Sequence, residues 1–154
     1  MDTLFEARGT LTSAASKSQV TYQFYVPAGC EGLRAHFKYF PKELNDREQS
    51  RRWIEAALDA YVSPTKRTLR SNWEDFLPLS NLITLSFDDP ERFRGAAHRH
   101  APEQHYWLTP ATASDGLIRG DIPCGMWRIT LSVHGVVTPQ CEYGLTVWKG
   151  GASS

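Results

Sequence analysis

Apolar and polar residues alternate with a period of two along much of this chain. After the turn Pro123-Cys-Gly125, Trp127, Ile129, Leu131 and Val133 alternate with Met126, Arg128, Thr130 and Ser132, and Cys141, Tyr143, Leu145 and Val147 repeat the pattern. Successive side chains of a strand point to opposite faces, so this period predicts strands buried on one side. The same alternation runs through Phe5, Ala7, Gly9 and Leu11, and through Val20, Tyr22, Phe24 and Val26. It recurs in Leu33, Ala35, Phe37 and Tyr39, with Arg34, His36 and Lys38 on the opposite face. Further strands are expected over residues 81–87, ended by Asp88-Asp89-Pro90, and over 104–109, with an edge piece at Leu117 and Ile118. Seven or eight short strands predict an all-β antiparallel sandwich of jelly-roll type.

One segment changes period. Ile54, Ala57, Leu58 and Tyr61 stand at i, i+3, i+4 and i+7, flanked by Trp53. This spacing predicts one inserted α-helix, about Asp46 to Val62. Asn45-Asp46 with Gln49 resembles a capping box, in which the Asp accepts from an early backbone N–H and the Gln reaches back. Ser63-Pro64 ends the pattern. A connecting arm follows, basic at Lys66, Arg67 and Arg70, then acidic and aromatic from Trp73 to Phe76, with one helical turn. The expected organisation is a single sandwich domain over residues 1–149, a helical insertion at 45–78 and a flexible tail at 150–154.

Composition narrows the class. Seventeen basic residues balance seventeen acidic ones, whereas a dedicated nucleic-acid binder is normally basic, so no nucleic-acid partner is expected. No apolar run reaches the roughly 18 residues that cross a membrane as a helix. The opening residues lack a signal-peptide pattern. The cysteines Cys30, Cys124 and Cys141 are too sparse for a disulfide framework, and together these features predict a cytoplasmic, reducing setting. Cys141, on the apolar face of its strand, is expected in the core.

Chemistry concentrates in one polar stretch, from Arg92 to His105. Arg92, Arg94 and Arg99 with His98, His100 and His105 gather positive charge, and guanidinium forks suit phosphate or carboxylate. The favoured expectation is a loop that binds an anionic ligand, the imidazoles adding charge at mildly acidic pH. The alternative is a small metal-dependent enzyme in which His98, His100 and Glu103 or His105 hold one divalent metal. That arrangement resembles the cupin pattern of His-x-His and a later Glu on one strand. The Glu comes one residue too early, however, and Arg128 stands where the second cupin signature has a histidine, so the primary expectation carries no metal cofactor. No nucleophile elbow or phosphate-cradling glycine loop occurs. Asp88-Asp89 reads as a strand-ending turn before a calcium site.

Residues 81–90 (Asn-Leu-Ile-Thr-Leu-Ser-Phe-Asp-Asp-Pro), Phe93-Arg-Gly95 and 120–131 (Gly-Asp-Ile-Pro-Cys-Gly-Met-Trp-Arg-Ile-Thr-Leu) carry a family resemblance. Together with the segment from Phe24 to Leu33, they resemble the β-sandwich domain that precedes the catalytic domain of bacterial PHP-type metal-dependent phosphoesterases of the CehA/McbA kind. In that family the metal chemistry belongs to the downstream domain, which the chain does not reach after Val147. The resemblance therefore implies a non-catalytic accessory module whose partner is a PHP-type catalytic domain or an anionic small molecule. A third expectation is a self-assembling homo-oligomer, pairing through edge strands and exposed aromatics such as Tyr25 or Trp148.

Overall fold

A computed structural model describes residues 2–61 and 72–150. Its strands are β1 (Thr3–Leu11), β2 (Ser18–Val26), β3 (Leu33–Phe40), β4 (Leu82–Asp88), β5 (Phe93–Ala97), β6 (Glu103–Leu108), β7 (Gly125–Gly135) and β8 (Cys141–Lys149), with helix α1 (Arg47–Tyr61) between β3 and β4. They form two antiparallel four-stranded sheets, ordered β1-β8-β3-β6 and β2-β7-β4-β5. Of the consecutive strands, β4 and β5 alone stay in one sheet. Every other connection crosses between the sheets, and this winding is the jelly roll.

The period-two residues meet between the sheets as expected. Trp127, Ile129, Leu131 and Val133 of β7 pack with Cys141, Leu145 and Val147 of β8 and Phe37 of β3. Burial pushes the Cys141 thiol pKa up, countered in part by Asn81 and Lys42, which leaves Cys141 the core residue its strand position implied. Trp148 departs from the sequence reading: it is half-buried, and its enclosed indole N–H has no partner among the described residues.

Strand β5 also departs from it, because Phe93–Ala97 was expected to be polar loop. Its residues Gly95, Ala96 and Ala97 are too small to show an apolar alternation, and its inward position Arg94 is charged. Leu117, expected in an edge piece, makes only an isolated bridge to Gly95.

The helix matches its pattern closely. The Gln49 N–H donates to Asp46 Oδ1 at 3.0 Å, satisfying one of the donors that a helix start leaves free. The Gln49 side chain does not close the expected box; its carbonyl accepts from Arg52. Ile54 and Leu58 pack on Trp73 in a small separate core, while Ala57 and Tyr61 of the same stripe remain exposed. Trp73 opens the expected helical turn, a 3-10 turn over Trp73–Phe76. The Trp53 indole donates to the Val137 carbonyl at 3.0 Å, tying the helix to the β7–β8 connection. Val62, the Ser63-Pro64 stop, the basic arm of Lys66, Arg67 and Arg70, and the tail from residue 151 lie outside the described residues.

Just before β4, the wholly buried Asn81 joins three segments. Its amide donates to the carbonyl of Pro41 (2.9 Å) and to Thr138 Oγ1 (2.8 Å), and its Oδ1 accepts the Val137 N–H at 2.7 Å. An Asn81→Ala variant leaves these groups without partners where water does not reach, at about 1–3 kcal/mol for each buried orphan. Urea denaturation should therefore show a loss of that order or more; a loss within about 0.5 kcal/mol, the range of ordinary surface substitutions, would contradict the role.

Candidate functional site

The Arg92–His105 stretch does not assemble into one site. Residues 93–97 belong to the second sheet as β5, and 103–108 to the first as β6. His98 and His100 are exposed in the connection between them. Arg99 lies over the Tyr106 ring, 4.6 Å from its centroid, and donates to the His105 carbonyl at 3.1 Å. Arg92 is exposed, 3.7 Å from Asp89.

Arg94 points inward and is fully buried. Its Nη1 meets Asp89 Oδ2 at 3.0 Å and the Asp121 carbonyl at 2.7 Å. Nη2 reaches the Gly120 carbonyl and Nε the Ile118 carbonyl, both at 3.0 Å. The guanidinium also lies 5.3 Å from the Trp127 ring centroid. Asp89 is equally enclosed: its Oδ1 accepts the N–H groups of Glu91 and Arg92, both at 2.7 Å. Gly120 completes the cradle at φ +153, where a Cβ would come within 3.3 Å of Arg94 Nη2 and closer still to Arg92. Arg94, expected to hold a ligand, thus spends its donors inside the fold. The same bonds occupy Asp89 as a turn former, and they leave it no free oxygen to offer calcium.

What the fold does bring together lies on the outer face of the first sheet. In the β3–β6 ladder His36 stands opposite His105, and Lys38 opposite Glu103. Glu103 and His105 are two residues apart, so both share the solvent face with His36. The two imidazoles stack at 4.4 Å with 21° between planes. Glu103 Oε1 lies 2.9 Å from His36 Nε2 and 3.6 Å from His105 Nε2. The hydrogen bond and charge of His36, with a smaller contribution from His105, hold the Glu103 carboxyl below its ordinary pKa. Of the expected metal set, Glu103 and His105 are therefore joined by His36 rather than by His98 and His100.

The next row of this face reads Arg8, Gly144, Lys38, Glu103 across β1, β8, β3 and β6. Gly144 carries no side chain and leaves an open depression of about 900 Å³, walled by Arg8, Thr10, Lys38, Phe40, Glu103 and Glu142. Strands lie about 4.8 Å apart, so the backbones of Arg8 and Lys38 stand about 10 Å apart with Gly144 between them. Neither is ion-paired among the described residues. Lys42, at the edge, is held by the Asn81 carbonyl (2.7 Å) and the Tyr39 hydroxyl (3.0 Å). The sequence pattern had already placed His36 and Lys38 on one solvent face; the strand order that sets them beside Glu103, His105 and Arg8 is not a local property and gave no signal.

No family model matches the chain, and no curated protein is similar enough to match it.

Removing one member of a buried pair strands the other charge, typically at about 3–5 kcal/mol. Asp89→Ala should therefore destabilise the fold by that order in denaturant unfolding, whereas a surface role for Arg94 predicts almost no effect. Acid should act through the same contact. Burial alone would raise the Asp89 carboxyl, but the N–H groups of Glu91 and Arg92 and the adjacent Arg94 outweigh it and hold it below the ordinary 3.8. Its contribution is complete above that value and disappears as pH falls through the lower folded value. The stability gap between wild type and Asp89→Asn should accordingly be constant near neutrality and shrink on acidification below about pH 4; a gap that widens there would refute the assignment.

Proposed function

We propose that this jelly roll is a non-catalytic binding module that takes an anionic group, a phosphate or carboxylate of a small molecule or of a partner domain, on the outer face of its first sheet. The observation that carries the reading is the pair of cations Arg8 and Lys38, not ion-paired among the described residues, which flank Gly144 on either side in the depression. A guanidinium fork and an ammonium on opposite walls suit an anion with several acceptor oxygens. The exposed Phe40 ring, three-quarters accessible, adds an apolar wall for the rest of such a ligand. The resemblance to the accessory sandwich of PHP-type phosphoesterases supports the same reading, since a domain beside such an enzyme meets phosphate esters. In this account the Arg92–His105 stretch contributes Glu103 to the rim, and Arg94 serves the fold.

Amide-resolved NMR titration with inorganic phosphate and with citrate tests the reading. Saturable shifts should centre on Arg8, Lys38 and Gly144 and vanish in the Arg8→Ala/Lys38→Ala double variant. Because both side chains are exposed, that variant should keep its stability within about 0.5 kcal/mol per site. Shifts that persist in the double variant, or that centre on Arg92 and Arg99, would remove the proposal.

A further inference from the structure

The geometry points to a surface site for one divalent transition-metal ion, of the zinc, nickel, copper or cobalt kind, clipped between β3 and β6 by His36, His105 and Glu103. Two imidazole nitrogens and one carboxylate oxygen are the donors these ions prefer; calcium and magnesium favour all-oxygen sets. The three side chains are the one group of metal-ligating residues among those described whose ligand atoms all lie within 4.8 Å of one another.

The spacing fits the chemistry. Bonds of 2.0–2.1 Å in tetrahedral geometry put ligand atoms about 3.4 Å apart. The two nitrogen–oxygen separations here, 2.9 and 3.6 Å, bracket that value; the imidazole nitrogens lie within 4.8 Å of each other, and binding requires the stacked rings to turn so that both point at the ion. The backbone is already in place: the histidines are ladder partners, and Glu103 lies two residues from His105 on the same face. An ion would take over the role Glu103 now plays, joining His36 and His105. Its fourth position would open to solvent, since the His105 and Glu103 side chains are 67% and 63% exposed.

Neighbouring charge sets a limit on affinity without blocking the site. Lys38 faces Glu103 across the ladder but is exposed and free to turn away. Arg99 is held over Tyr106 and by the His105 carbonyl. The inference is independent of anion binding in the neighbouring depression, because the metal alone is the probe.

The test is calorimetric titration of zinc chloride into tag-free, metal-stripped protein in a non-coordinating buffer at mildly alkaline pH. One ion should bind per chain. His36→Ala and His105→Ala should each weaken binding at least about tenfold, the lower bound for losing even an outer partner of a metal site, and Glu103→Gln should weaken it as well. The His98→Ala/His100→Ala variant should bind as the wild type does. Cobalt(II) gives a second readout on unaltered protein: a visible absorption band of low-coordinate cobalt, displaced by zinc. Absence of saturable zinc binding, or binding that survives in His36→Ala and His105→Ala but fails in His98→Ala/His100→Ala, would overturn the inference.

Discussion

The buried contact between Arg94 and Asp89 is the constraint on which one end of this sandwich depends. A guanidinium and a carboxylate taken out of water are tolerable only when their hydrogen-bonding capacity is met inside. Here Asp89 takes two backbone N–H groups of its own turn as well as Arg94, and Arg94 takes carbonyls from Ile118, Gly120 and Asp121. The contact thereby joins the β4–β5 turn, the edge strand β5 and the segment leading into β7, with the Trp127 ring beneath it. Such a pair adds little to stability compared with a well-packed apolar group, but removing one partner is costly, because the other charge is then buried without compensation.

This contact also draws together turn segments from two parts of the chain. Asp88-Asp89-Pro90 and Phe93-Arg94-Gly95 flank one turn, and Gly120-Asp121 through Trp127, some 25 residues on, meets them around one guanidinium. They are parts of a single structural device. At the other end of β4, Asn81 does the same work with a neutral amide, joining the chain after β3, the start of β4 and the β7–β8 connection. A buried polar clamp thus holds each end of β4.

Most of the fold was legible from periodicity. The strands whose inward positions hold large apolar residues announced themselves, as did the helix with its Asp46 cap. Strand β5 did not, because its buried residues are an arginine, a glycine and an alanine with a register shift among them, and no hydrophobic period can show that. The site was legible only in fragments for a different reason. Alternation assigns His36 and Lys38 to the solvent face of β3, yet that β3 has β6, with Glu103 and His105, as its neighbour is decided by the jelly-roll winding. The density of arginine and histidine from Arg92 to His105 pointed at one loop because sequence proximity was the only proximity available. The fold divides that stretch between two sheets.

The structural role of Arg94 is tested most directly by a double-mutant cycle on Asp89 and Arg94, with stability measured by denaturant unfolding of Asp89→Ala, Arg94→Ala and the double variant. If the two side chains form the buried contact described, the double variant should be less destabilised than the sum of the singles, by about 0.5–3 kcal/mol. Strict additivity, with Arg94→Ala costing no more than an ordinary surface substitution, would contradict the account.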